Sequence, residues 1–188
     1  IHFRGLGNDQ DDLSWLENWR GDGIIARITS EAIANYISQS KLPALDLTSE
    51  RLIPKLPYLE ANNHAVANLA ASHLLERGFK HFGFLGDSTF FWSRLREQHF
   101  SQALEAQGFF CKSLDLRDEK QKVAPLGDLQ NKIIAWLEGI PKPVGIMASS
   151  DVLGRLLLET CSLTNIKVPD EVAVIGVDND TLLCELAD

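Results

Sequence analysis

The stretch VGIMASSDVLGRLLLE, residues 144–159, changes its pattern of apolar residues partway along. Residues 144–148 are nearly all apolar, which is typical of a strand that is buried on both faces of a sheet. From Val152 onward the apolar positions 152, 153, 156 and 157 form the stripe of an amphipathic helix. Asp151 lies where the two patterns meet, so we expect it at the carboxyl edge of a sheet. Open α/β proteins bind ligands at that edge, but an aspartate there can also simply cap the helix.

The same alternation of strand and helix patterns runs along the chain. Compact apolar runs predict strands at 23–28, 43–47, 81–86, 109–114, 144–148 and 172–177. Helical spacing predicts helices at 30–40, from Asn63 as a cap to just before Gly78, at 93–108, at 126–138 and from 152 to about 165. This alternation indicates an α/β protein with parallel sheets flanked by helices, in the doubly wound arrangement.

Composition and charge restrict the possible functions. The formal net charge of −8 disfavours a nucleic-acid surface within this chain, because phosphate binding needs clustered Lys and Arg. No apolar stretch approaches the roughly 20 residues that span a bilayer, so no membrane partner is predicted. Three widely spaced cysteines without metal-ligand spacing are typical of a reducing, cytoplasmic compartment. Phosphate-binding loops and nucleophile elbows are missing from the sequence, so we predict no cofactor, no metal, no catalytic residues and no enzyme activity.

Polar residues follow three of the predicted strands and form a candidate ligand site. Trp92 and Arg96 lie four residues apart after strand 81–86, Asp151 follows strand 144–148, and Asp178 follows strand 172–177. Carboxylates accept hydrogen bonds from adjacent sugar hydroxyls, arginine donates in a fixed fork, and a flat indole covers an apolar ring face. Each residue also has a structural interpretation, respectively aromatic packing, a surface ion pair, a helix cap and a turn. Spacing alone leaves these alternatives open.

Four segments carry a resemblance to a known family. They are ANNHAVANLAASHLLERGFKHFGFLG (61–86), SRLRE (93–97), MASSDVLGRLLLE (147–159) and VPDEVAVIGVDND (168–180). In order and spacing they resemble the corresponding segments of lactose/galactose-repressor-type regulators, and the last of them is the most specific. The form GVDND, the spacing of Trp92 and Arg96, and WLENWRGDGIIARI (15–28) resemble the branch of xylose-responsive operon regulators that carry an AraC-type DNA-binding region at the C-terminus.

The resemblance implies a two-lobed, periplasmic-binding-protein-like fold that is truncated here at both ends. The first lobe is expected at 1–79, the second at 80–178 and the start of the return crossover at 179–188. Residues 1–3 resemble the end of a strand, which supports the expected truncation. Such a domain senses a sugar, here expected to be xylose, and lobe closure repositions DNA-binding segments that lie outside this chain. The implied partners are the sugar effector, operator DNA through that absent region, and a second copy in a homodimer.

The resemblance also assigns roles to the candidate residues. Arg96 matches an arginine that holds effector hydroxyls, Asp151 an aspartate that anchors the sugar, Asp178 an acidic residue beside the crossover, and Trp92 an aromatic near the pocket. Asn62 and Asn63 occupy the place of the family's Asp-Asn pair, and Asn62 departs from it. An exported sugar-binding protein of a transporter shares this fold and remains the alternative function. An α/β enzyme acting on a sugar is a third class, which lacks a recognisable base and nucleophile.

Overall fold

The computed structural model describes residues 21–117 and 125–186, so residues 1–3, where the sequence resembles a strand end, lie outside it. Its contacts divide the chain into two compact units, Ile1–Ala61 and Asn62–Asp188. Each unit contains a parallel sheet, with one described helix in the first unit and several in the second, and the α/β class predicted from the apolar patterns is confirmed. Within the described residues, no helix combines the length and hydropathy that a membrane span requires.

The first unit is built on a pair of short parallel strands. These are β1 (Ile24–Ala26) and β2 (Ala44–Asp46), with Ile24 opposite Ala44. Helix α1 (Glu31–Ser40) connects them and begins after Ser30, whose side chain accepts a hydrogen bond from the backbone N–H of Ile33. Because its apolar residues recur at helical spacing, α1 buries one face against Ile28.

The second unit is a four-stranded parallel sheet in the order β4-β3-β5-β6. Its strands are β3 (His81–Gly86), β4 (Cys111–Asp115), β5 (Val144–Ala148) and β6 (Val172–Ile175). Its helices are α2 (Asn63–Glu76), α3 (Phe91–Glu105), α4 (Leu126–Glu138), α5 (Asp151–Leu163) and α6 (Thr181–Glu185). Helix α6 was not predicted, because its short segment shows no helical apolar stripe.

Helices cover both faces of this sheet. Successive side chains of a strand point to opposite faces, so Phe84 and Leu85 of β3 enter different apolar clusters. Phe84 packs with residues of α2 and α3, whereas Leu85 packs with residues of α4 and α5. The nearly continuous apolar pattern of β5 is explained by this double coverage, since all five of its residues are buried.

The strand order creates one topological switch point. Strands β3 and β5 are neighbours, but the chain leaves β3 toward β4 and leaves β5 toward β6, on opposite sides. At such a point the connecting loops diverge and leave a crevice outside the carboxyl ends of the two strands. Residues that follow Gly86 and Ala148 therefore lie at the place where a ligand is expected.

Helix α2 belongs to the second unit. We expected the first lobe to extend to residue 79, but the structure divides the chain between Ala61 and Asn62. The reason is that Ala67, Ala70 and Leu74 of α2 pack in the same buried cluster as the phenylalanines of β3. The apolar stripe of a helix shows that the helix covers a sheet but does not show which sheet it covers.

Candidate functional site

The Arg96 side chain is buried at the switch point of the second unit. It lies on α3, the helix that follows β3, and the residue is only 6% exposed. Its Nε donates to Oδ1 of Asn63 at 3.0 Å, and its Nη1 donates to the backbone carbonyl of Ser149, the residue directly after β5. Because a buried charge is costly unless it is hydrogen-bonded, these two acceptors determine where the guanidinium lies.

An acidic side chain faces this guanidinium from the end of the neighbouring strand. Asp178, three residues after β6, has its Oδ1 3.9 Å from Nη1 of Arg96, and its side chain is 57% exposed. Burial lowers the pKa of Arg96, while the charges of Asp178 and Asp151 raise it in part. Partial burial raises the pKa of Asp178 above its ordinary value, and the charge of Arg96 opposes that rise. The result is a fixed donor group beside an accessible acceptor group.

Trp92 presents its ring to the same guanidinium. Helix α3 begins at Phe91, so Trp92 and Arg96 share one face of its first turns, as their spacing predicted. Cζ of Arg96 lies 4.8 Å from the centroid of the Trp92 ring, a cation–π arrangement. The ring also stacks on Phe90, with centroids 5.2 Å apart and planes inclined by 20°. Trp92 thus contributes an aromatic surface next to the polar groups.

Asp151 is bonded to the turn that carries Asp178. It is the first residue of α5, and the capping position before it is occupied by Ser150, whose side chain makes no capping hydrogen bond. The carboxylate Oδ2 of Asp151 accepts from the backbone N–H of Asp180 at 2.7 Å. The backbone N–H of Asp151 donates to the carbonyl of Val177 at 2.8 Å. Asp151 is therefore not the helix cap, and its carboxylate is directed toward the end of β6.

The turn after β6 has an unusual backbone. Asp178 has φ = 114° and Asn179 has φ = 54°, so two successive residues adopt positive φ. Asparagine and aspartate adopt positive φ more readily than other non-glycine residues, and a residue held in a sparsely populated backbone region costs about 1–3 kcal/mol. The side chain of Asp180 then caps α6 by accepting from the backbone N–H of Leu183 at 3.1 Å.

The structure joins Trp92, Arg96 and Asp178 by direct contacts, and it joins Asp151 to them through the turn. Sequence reasoning did not identify two further participants. Asn63 is 5% exposed and accepts from Arg96, whereas the helix cap predicted at Asn63 is provided by Asn62, whose side chain accepts from the N–H of Ala65. The only sequence signal for Asn63 was its place in the Asn-Asn pair.

Ser149 is the second participant that the sequence did not reveal. Its carbonyl accepts from Arg96, and its fully buried hydroxyl has no hydrogen-bond partner among the described residues. A hydroxyl directly after the apolar strand β5 was the available sequence signal. The described residues contain no group of three or more His, Cys, Asp or Glu side chains that could hold a metal ion.

The end of β2 in the first unit has a different character. Asp46 is buried, and its Oδ1 accepts from the backbone N–H of Ile28 at 3.3 Å and from the backbone and hydroxyl of Thr48 at 2.9 and 2.8 Å. Nearby, Arg51 pairs with Glu60 at 2.6 Å and lies over the ring of Tyr58. Asp46 and Arg51 therefore have partners within the unit, whereas Oε2 of Glu60 is buried without a hydrogen-bond partner among the described residues.

Comparison with known families and proteins gives consistent results. Residues 71–188 match the periplasmic binding protein-like domain. The chain is 29% identical over 177 residues to the xylose operon regulatory protein of Escherichia coli K12, a match that covers 89% of this chain and 44% of that protein. The corresponding protein of Haemophilus influenzae is 30% identical over 170 residues, with 86% and 43% coverage. The chain therefore spans less than half the length of these relatives.

Solved structures show the same likeness. A structure described as a xylose-binding transcription activator superposes with a TM-score of 0.75 at 28% identity, covering 86% of this chain and 44% of that one. A cellobiose complex of the transcriptional regulator CelR superposes with a TM-score of 0.69 at 17% identity, covering 90% and 52%. At that lower identity the likeness concerns the fold alone.

Proposed function

The chain belongs to the periplasmic binding protein-like domain family, and from this premise we propose that it is the sugar-sensing domain of a bacterial transcription regulator. The relatives that support this proposal are named as regulators of sugar operons. They favour a regulator over the exported binding protein of a transporter and over an enzyme.

The observation that carries the proposal is the buried Arg96 beside the accessible Asp178. A guanidinium has five N–H donors, and the described contacts use one each from Nε and Nη1 for Asn63 and Ser149. The remaining N–H donors of Arg96 can donate to one hydroxyl of a sugar, and the carboxylate of Asp178, 3.9 Å away, can accept from an adjacent hydroxyl. Trp92 supplies the aromatic surface for the apolar face of the ring. Asp151 belongs to the same acidic end of the sheet.

We propose D-xylose, a neutral aldose, as the effector. The relatives with 29% and 30% identity are xylose operon regulators, and the similar solved structure is described as xylose-binding. The charge of the site agrees with a neutral sugar, because Arg96 is accompanied by the carboxylates of Asp178 and Asp151. A sugar phosphate would require an excess of positive charge or a free anion-binding nest.

The proposed regulator contacts operator DNA through a region outside residues 1–188 and works as a homodimer in the cytoplasm. The net charge of −8 makes this chain a poor phosphate-binding surface, so the sugar signal has to reach a separate DNA-binding region. Lobe closure as the means of transmission, which the resemblance implied, remains a prediction.

Calorimetric titration of the protein tests the proposal. The panel comprises D-xylose, D-ribose, D-glucose, D-galactose and xylulose 5-phosphate, and Arg96→Ala serves as the site control. We expect saturable binding of D-xylose, weaker binding of the hexoses and none of the phosphate. Binding of the phosphate alone, or turnover of any sugar, would contradict the proposal. If Arg96→Ala binds D-xylose as tightly as the unaltered protein does, the site around Arg96 is not the sugar site.

A further inference from the structure

Two hydrogen bonds connect the first residue of α5 to the turn that follows β6. The backbone N–H of Asp151 donates to the carbonyl of Val177 at 2.8 Å, and the carboxylate of Asp151 accepts from the N–H of Asp180 at 2.7 Å. The bonded residues 177 and 180 flank Asp178 and Asn179 on either side. A single residue thus holds both ends of the segment that presents the Asp178 carboxylate.

This segment needs such support because of its backbone. Asp178 and Asn179 both have positive φ, at 114° and 54°. Residues in sparsely populated backbone regions keep their conformation only when surrounding contacts determine it. The turn is also exposed at residues 178–180, so core packing does not provide those contacts.

The carboxylate of Asp151 also lies directly against the backbone of Gly176. A methyl group built on Gly176 would come within 2.2 Å of Oδ1 and within 3.3 Å of Cγ of Asp151. The φ angle of Gly176 lies outside the left-handed region, so an alanine there meets no backbone penalty. The glycine is therefore required by the volume of the Asp151 carboxylate, which fills the space beside the chain at the end of β6.

We infer that Asp151 is a positioning residue, which holds turn 176–180 so that Asp178 faces Arg96, and that it does not itself contact the sugar. One consequence of this inference, the loss of sugar affinity in Asp151 variants, rests on the proposed function. Its structural part, the holding of the turn, stands on the two hydrogen bonds and the close approach to Gly176. When the carboxylate is removed or displaced, the turn relaxes and Asp178 leaves its place 3.9 Å from Arg96.

Amide hydrogen exchange without sugar tests the structural part. We expect the N–H of Asp180 to be protected from exchange in the unaltered protein by its bond to Asp151, and to exchange about tenfold faster or more in Asp151→Ala, because a bond to a charged acceptor is lost. Asp151→Asn keeps an oxygen acceptor and should restore part of the protection. The N–H of Ser149, bonded to the carbonyl of Leu85 at 2.8 Å, reports that the sheet remains folded. Unchanged exchange of Asp180 in Asp151→Ala would overturn the inference.

A double-mutant cycle with D-xylose as the probe tests the consequence. Gly176→Ala should weaken D-xylose binding about tenfold when Asp151 is present, since the new methyl group displaces the carboxylate and its hydrogen bond. In the Asp151→Ala background the same change should have no further effect, because Oδ1 and Cγ are gone. Val152→Ala, at an exposed neighbouring position on α5, is the matched control and should bind normally.

The two kinds of failure can be separated. Additive losses in the cycle, or full affinity in Asp151→Ala, would overturn the positioning role while leaving the sugar site in place. If Asp151→Ala loses D-xylose affinity but leaves the exchange of the Asp180 N–H unchanged, Asp151 is a direct ligand. If the unaltered protein binds no sugar, the proposed function fails, and the exchange measurements still decide whether Asp151 holds the turn.

Discussion

Replacing Asn63 with alanine tests whether the buried guanidinium depends on its side-chain acceptor. Asn63 is 5% exposed, and its Oδ1 lies 3.0 Å from Nε of Arg96. The substitution leaves a charged donor without its protein partner in a buried site, and a hydrogen bond to a charged group contributes about 1.5–3 kcal/mol. We therefore expect the free energy of unfolding to fall by about 2 kcal/mol. D-xylose affinity should fall by about tenfold, since the arginine loses one of its two anchors.

The neighbouring asparagine provides a matched control for this prediction. Asn62 caps α2 by accepting from the N–H of Ala65 at 3.0 Å, so Asn62→Ala should cost about 1 kcal/mol of stability and leave sugar affinity unchanged. Asn63→Asp keeps an acceptor for Nε and should recover most of the lost stability. Urea unfolding followed by circular dichroism and calorimetric titration measure both quantities. The reasoning is refuted if both alanine variants lose the same stability, or if Asn63→Ala binds D-xylose normally.

Three further predictions concern the arginine, a glycine and the acidic group. Arg96→Lys should reduce D-xylose affinity more than about tenfold in calorimetry, because one ammonium cannot reproduce the fork of a buried guanidinium. Gly83→Ala should lower the free energy of unfolding by about 1–3 kcal/mol, since its methyl group would lie 2.8 Å from the Trp136 ring, whereas Gly127→Ala has no atom within 4 Å and should be neutral or stabilising. Partial burial raises the pKa of Asp178, so D-xylose affinity should fall on acidification at a higher pH than for an ordinary aspartate, and Asp178→Asn should remove that dependence. The same raised pKa means that the charged Asp178 opposes folding above its pKa, and that this penalty is lost as the pH falls, which urea unfolding at two pH values can measure.

The order of the elements could be predicted because local patterns determine it. The apolar run of β5, Val144–Ala148, and the amphipathic stripe of α4, Leu126–Glu138, have the predicted bounds. The boundary between the units could not be located, because it depends on the sheet against which α2 packs. That choice is made by long-range contacts of alanines with β3, which leave no periodic signal in the sequence.

The site was predictable to a similar degree. Helical spacing and position after a strand identified Trp92, Arg96 and Asp178, and the structure brings these three together. The role of Asn63 depends on a contact between two helices, 33 positions apart in the chain. The turn after β6 depends on backbone angles that residue types do not determine. The ligand roles of Trp92, Arg96 and Asp178 remain predictions, and for Asp151 the inferred positioning role takes the place of the ligand role that the resemblance implied.

The two anchors of Arg96 differ in how far they depend on the amino acid at their position. Asn63 provides an acceptor through its side chain, whereas Ser149 provides one through its backbone carbonyl, which any amino acid at that position would retain. Side chains after β5 can therefore change without removing that anchor. Under the proposed function, substitutions after β5 would change the surroundings of the ligand while the guanidinium keeps its place at the switch point.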